Sequence, residues 1–237
     1  MLDGLAVESL LDVGAGTGTW LRAASLAGIG DILGVDGVSS AGREIHVDPS
    51  LIQTADLRVP LQLGRRFDVA LCLEVGEHLP PESAGTLVRS LCTHSNRIFF
   101  SAAAPQQLGE HHINCQWPEY WQALFNEHGY SCHDEVRFRM WRDTGIEPWY
   151  RQNMFLARKA PEVAGHEPRI PALIHPDMEP HMDLRNSPTA WQCASLEAGL
   201  YSPRHYLRLL RRSISQRAAR VLNRVKGTSP TPSRRRA

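Results

Sequence analysis

The chain has 237 residues, 42% hydrophobic and 22% charged, with a formal net charge of +1. These values suit one larger soluble domain with an appendage, and exclude a disulfide-stapled miniprotein, a collagen-like chain and a fully disordered one. The near-zero charge conceals an asymmetry: residues 1–203 hold 15 basic and 25 acidic residues, whereas 11 basic and no acidic residues follow from Arg204 onward.

Residues 9–13 (SLLDV) form a short apolar run that meets glycines, which predicts a buried strand reaching a turn. A helical pattern follows, with Trp20, Leu21, Ala24 and Leu26 before Gly28. Residues 32–36, 67–73 and 97–102 predict three further strands, and a third strand in chain order is expected to end near Asp56. Pro80, Pro81 and Glu82 open a helix that carries Ala84, Leu87, Val88 and Leu91 on one face, where proline's missing N–H costs nothing. Pro118 and Glu119 begin another, with Trp121, Leu124 and Phe125 as its buried stripe and Gly129 as its stop. Residues 132–138 and 153–158 predict two closing strands without a clear helix between them, an antiparallel hairpin at one edge. The alternation implies an α/β fold, a Rossmann-like doubly wound sheet over residues 1–160. Residues 161–203 are rich in proline and histidine and predict an irregular extension. Residues 204–226 predict a basic amphipathic helix, with a disordered tail after it to residue 237.

No apolar run is long enough for a transmembrane helix, and the start lacks the basic and apolar regions of a secretory signal. The five cysteines are scattered and odd in number, as expected of reduced thiols in a cytoplasmic protein. His111 and His112 with Cys115, or Cys132 with His133, lack the paired spacing of a zinc site, so no metal is expected.

The chemical signal is strongest at Asp12-Val13-Gly14-Ala15-Gly16-Thr17-Gly18. Glycines at alternate positions between a strand and a helix let the backbone turn sharply and approach a ligand. A dinucleotide fingerprint would want glycine at position 19, which is Thr19; this GxGxG spacing fits S-adenosylmethionine better. Asp12 is placed to organise the loop or to reach the methionine ammonium through water. Asp36 ends the second strand, where a carboxylate accepts from both ribose hydroxyls. Asp56, with Leu57 beside it, falls where an acceptor for the adenine amino group belongs.

The blocks LLDVGAGTGTWL, GVDG, ADL and FDVALCLEVGEHLP, in that order over residues 9–158, resemble class I S-adenosylmethionine-dependent methyltransferases. FFSAAAP, HHINCQWPEYW and WYRQN resemble compact stand-alone bacterial and phage members. The resemblance implies a seven-stranded sheet with the last strand antiparallel. It implies a cofactor site at Gly14, Ala15, Gly16, Gly18, Asp36 and Asp56, with Glu74 near the sulfonium. The family carries helices before the first strand that cover this site; here only about eight residues precede it, so the cover would lie upstream of Met1 or come from residues 161–203.

Methyl transfer needs an aligned nucleophile and, for a hydroxyl, a base. His78 is the best placed by its ordinary pKa, with Glu74 and His112 as further catalytic candidates. His111, Asn114, Trp117 and Tyr150 are expected to bind the acceptor, since polar groups beside aromatics suit sugars and flat molecules. The expected function is methylation of a small-molecule or glycan-like acceptor at oxygen. A non-catalytic scaffold and an RNA methyltransferase guided by the basic tail are the alternatives. The tail could pack on the acidic body or a second subunit, lie peripherally on an anionic membrane, or meet nucleic acid; the acidic body disfavours extensive phosphate contact.

Overall fold

The computed structural model describes residues 6–39, 42–183, 202–204, 206 and 207. The predicted basic helix and tail lie almost entirely outside the described residues, as do residues 184–201 of the extension. Among the described residues, no helix is long and apolar enough to cross a membrane.

In chain order the framework is β1 (Ser9–Val13), α1 (Thr19–Leu26), β2 (Asp31–Asp36), β3 (Ile52–Thr54), β4 (Val69–Leu73), α2 (Ala84–His94), β5 (Arg97–Ser101), α3 (Pro118–Glu127), β6 (Tyr130–His133), α4 (Glu135–Met140), α5 (Pro148–Asn153) and β7 (Phe155–Lys159). The seven strands form one sheet in the order β3-β2-β1-β4-β5-β7-β6. The first five are parallel, and β7 runs antiparallel to both β5 and β6. The expected Rossmann-like sheet with an antiparallel last strand is therefore present. Strand order reverses between β1 and β4, which opens a crevice at their C-terminal ends.

Strand periodicity sorts the core into two layers. From β4, Ala70 and Cys72 join Leu87, Val88, Leu91, Trp121 and Phe125 of α2 and α3. Val69, Leu71 and Leu73 face the other way, toward Leu21 and Ala24 of α1 and Val136 of α4. Gly34 lets α1 approach β2, since a Cβ there would lie 2.8 Å from both Ala15 Cβ and Leu21 Cδ1.

The end of the chain corrects one sequence expectation. The strand predicted over 132–138 stops at His133, and two short helices separate β6 from β7. Val136 and Phe138 alternate as in a strand, but Phe138 is half exposed while Arg137 is buried. Its guanidinium pairs with Asp134 at 2.6 Å and donates to the Gln152 and Pro171 carbonyls. Tertiary pairing of one arginine overrides the local alternation.

The extension is tied to this body. Glu167 accepts from the Gln122 and Asn126 amides and the Cys132 N–H. Ile174, Met178 and Met182 pack with Ala104, Trp117 and Trp149. Met182 bridges Gln107, and the Leu108 N–H donates to the His181 carbonyl at 2.7 Å. The segment braces the loop after β5.

Phe100 touches Trp121, Phe125 and Phe155 at the centre of one layer. Phe100→Ala should lower unfolding free energy in urea by about 3–5 kcal/mol, while Leu26→Ala, at an exposed helix end, should change it by less than about 0.5 kcal/mol.

Candidate functional site

The C-terminal ends of β1, β2 and β4 border a cleft of about 630 Å³, a volume suited to a small organic ligand. Gly14, Asp36, Asp56, Leu57, Glu74 and His78 all line it. Its first wall is the loop between β1 and α1. The Gly14 and Ala15 N–H groups both donate to the Val35 carbonyl, at 2.7 and 3.1 Å. Gly14, Gly16 and Gly18 all have positive φ, and Gly18 caps α1 in the left-handed region. A Cβ on Gly14 would sit 2.2 Å from Val75 Cγ2, whereas one on Gly16 would meet nothing within 4 Å. One glycine is needed for packing, and the other keeps a space open.

Asp36 ties this loop to β2. Its Oδ2 accepts from the Gly16 N–H at 2.7 Å, and its Oδ1 from the Val38 N–H at 2.8 Å. Each oxygen keeps a further lone pair for a ligand hydroxyl. Asp12, beneath the loop, is almost fully buried, and its Oδ2 has no hydrogen-bond partner. Burial, reinforced by the Asp36 charge, pushes its pKa up to about 7. An orphaned carboxylate oxygen at this position suits a bound water or a ligand cation.

Asp56 reaches the rim, but its carboxylate is engaged. Arg58 donates to both oxygens at 2.8–3.1 Å, and hydrogen bonding from Arg58 holds its pKa at about 2. The expected acceptor for an adenine amino group is thus half-exposed and already paired.

The opposite wall follows β4. Glu74 adopts φ 56, unusual for a non-glycine residue, and turns the chain into the cleft. Its carboxylate accepts from Gln107 Nε2 at 3.0 Å and Asn153 Nδ2 at 3.2 Å. Burial raises its pKa against the lowering effect of Ser101, Asn153 and Gln107. Next along, Glu77 is fully buried and neither of its oxygens closes a hydrogen bond of ordinary geometry. Burial first, and the Glu74 charge second, raise its pKa to about 9.

His78 stands exposed at the cleft mouth. Its ring lies edge-on to His112, with centroids 5.1 Å apart. Burial of part of the ring, and then the neighbouring His112, lower its pKa and keep it neutral at pH 7. The loop carrying His112 is pinned there, because the Ile113 and Asn114 N–H groups both donate to the Glu77 carbonyl and Asn114 Nδ2 to the Gly76 carbonyl.

The other acceptor candidates diverge. His111 is exposed with φ 55, and Asn114 is buried beneath the loop. Trp117 caps the start of α3, packs against the extension and borders a separate groove. Tyr150 stacks on Trp20, centroids 5.5 Å apart. Neither aromatic lines the cleft; the mouth is built instead from Leu79, Pro80 and Ile113. The described part of the extension, residues 161–183, does not line it either. Sequence reasoning passed over Glu77 and the Gln107–Asn153 clamp. A repeated carboxylate three residues after Glu74 was the available signal for Glu77.

The sequence matches the family described as a methyltransferase domain over residues 3–151. No curated protein matches it. Among solved structures it is similar to a SAM-dependent methyltransferase from Archaeoglobus fulgidus, at 17% identity and TM-score 0.46, covering 65% of this chain and 87% of that one. It is also similar to magnesium protoporphyrin IX methyltransferase from Synechocystis PCC 6803 with bound SAH, at 20% identity and TM-score 0.47, covering 65% and 75%. A sugar N-methyltransferase from Streptoalloteichus sp ATCC 53650 is similar at 17% identity and TM-score 0.48, covering 65% and 81%.

If burial sets the Asp12 pKa, the folded chain holds a proton there that the unfolded chain releases above its ordinary value of 3.8. That stabilisation is complete below pH 3.8 and is lost as pH rises through about 7. In thermal unfolding without ligand, Asp12→Asn should therefore gain stability relative to the parent as pH rises, by on the order of a few kcal/mol above pH 7.

Proposed function

The chain belongs to the methyltransferase domain family, with S-adenosylmethionine as its cofactor, and from that premise we propose that it methylates a hydroxyl group of a small molecule bound at the mouth formed by Leu79, Pro80 and Ile113. The residues present fit the cofactor. Asp36, Asp56 and Glu74 face the cleft against one arginine, Arg58, a balance that favours a cationic ligand. A Cβ on Gly16 would meet nothing within 4 Å, so the loop has room for a ligand there, and the Asp12 carboxylate has an oxygen unspent. When bound, S-adenosylmethionine supplies a methyl group activated by its sulfonium.

The protein's own part is to bind, orient and deprotonate. Asp36 would hold the ribose hydroxyls while its existing bonds to the Gly16 and Val38 amides fix its orientation. Glu74, immobilised by Gln107 and Asn153, would shape the passage between the cofactor and acceptor ends. The observation that carries the choice of oxygen is the neutral His78 imidazole at the mouth, beside His112. A neutral imidazole can take a hydroxyl proton at pH 7. With Trp117 and Tyr150 engaged elsewhere, no Trp, Tyr or Phe among the described residues lines the cleft, which favours an acceptor with an aliphatic surface.

Titration calorimetry with S-adenosylhomocysteine should show binding that weakens about tenfold or more in Asp36→Ala. Gly16→Ala should remain folded, at a cost of about 1–2 kcal/mol for its left-handed backbone, yet lose the ligand. A panel of matched alcohols and amines with methyl-labelled cofactor tests the reaction itself. Label should appear in ethers, and His78→Gln should lower kcat about a hundredfold without weakening S-adenosylhomocysteine. Label confined to amines would refute the oxygen reading.

A further inference from the structure

We propose that Glu77, His78 and His112 form a binding site for one first-row divalent cation, such as manganese, iron, cobalt or zinc, at the acceptor end of the cleft. The proposal deepens the functional reading above and rests on it only for the ion's use, not for its binding.

The geometry comes first. One oxygen of Glu77 and one ring nitrogen from each histidine lie within 4.8 Å of one another. Donors around an ion at about 2.0–2.2 Å are separated by roughly 3–4 Å, so modest side-chain rotation closes the set. Glu77 and His78 come from the turn after β4, and His112 from the loop after β5 that hydrogen-bonds to that turn. Because the ligands come from two segments, no paired spacing announces them in the sequence.

The state of Glu77 is an independent reason. A fully buried carboxyl whose two oxygens lack partners is costly unless a proton or a cation compensates it. No Lys or Arg is paired with it among the described residues. Beside it stand the Glu74 carboxyl, whose charge adds to the need for compensation, and the two imidazoles, which with the Glu77 carboxylate complete a donor set for a borderline metal ion.

The surroundings of His112 are those of a prepared ligand. Its Nδ1 lies 3.2 Å from the Gln107 carbonyl. A carbonyl only accepts, so Nδ1 carries the proton and Nε2 keeps its lone pair. Gln107 also holds Glu74, so one residue links the His112 tautomer to the cofactor wall. Gly109 lies against the same ring, and a Cβ there would come within 2.1 Å of Nε2.

Three protein ligands leave coordination positions open, the pattern of catalytic rather than structural metal sites. His78 is exposed at the mouth, so those positions adjoin the acceptor. An acceptor hydroxyl could replace a water on the ion, and its proton would then pass to solvent water as the ion lowers its pKa. With the ion bound His78 is a ligand, and without it the neutral imidazole is the base assigned above, so His78→Gln should lower kcat in either state.

The full-length protein, stripped with chelator and free of S-adenosylmethionine, should take up one equivalent of Mn²⁺, seen as loss of the free-ion electron paramagnetic resonance signal. Co²⁺ should give visible absorption bands and compete for the same site. His112→Ala, which changes a partly exposed side chain, should weaken uptake roughly tenfold or more, and Glu77→Gln should do the same. S-adenosylhomocysteine affinity, measured in parallel, should stay near the parent value in His112→Ala. No uptake of Mn²⁺ or Co²⁺ by protein that still binds S-adenosylhomocysteine would overturn the metal site and leave the methyltransferase reading standing. Uptake unchanged in His112→Ala would place any ion elsewhere and overturn it equally.

Discussion

One hydrogen bond, from the Gly16 N–H to the Asp36 carboxylate at 2.7 Å, joins the loop after β1 to the end of β2. Around it, the Gly14 and Ala15 amides close on the Val35 carbonyl, and α1 begins at Gly18. A carboxylate that accepts backbone N–H groups is held in one orientation. The strand order reverses beside this junction, so the sheet cannot close over it. The cleft therefore follows from the sheet's topology, and its acidic character from which residues end the strands.

The opposite wall is built on a different principle. Glu74 leaves β4 in a strained conformation and its carboxylate is clamped by two amides, while Glu77, one turn later, is buried without partners. Such groups persist when the surrounding fold dictates them. Here the loop after β5 does so, hydrogen-bonding to the Glu77 carbonyl and braced from outside by Met182 and His181. The described part of the extension, residues 161–183, thus serves the site indirectly, by holding a loop rather than by lining the cleft. Function and fold meet at the turn from Glu74 to His78, where a carboxylate costly to folding is retained beside two imidazoles.

Much of the framework was legible because it depends on local pattern. Apolar strands, glycine at Gly14, Gly16 and Gly18, and Pro118 at the start of α3 each act within a few residues. Asp36 was legible for the same reason, as an acid ending a strand. What was not legible depends on which side chains pair or pack with which, whether near or far along the chain. Buried Arg137 turns an apparent strand into α4 by pairing with Asp134 and with carbonyls from α5 and the extension. Trp117 and Tyr150 read as pocket aromatics, but the Met178 and Met182 cluster claims the first and Trp20 the second. Asp56 stands at the expected rim, yet Arg58, two residues on, occupies its carboxylate. Nothing in the local pattern marks Glu77 as buried, because the loop that closes over it follows the next strand.

The proposed cofactor site stands on the Gly14–Gly18 loop and Asp36, at the switch point of the sheet, and a crystal structure with S-adenosylhomocysteine would test that placement. The ribose hydroxyls should lie on Asp36, the amino-acid end along Gly14 to Gly16 toward Asp12, and the sulfur facing Glu74 and His78. Ligand bound away from Asp36, or in the groove beside Trp117, would contradict it.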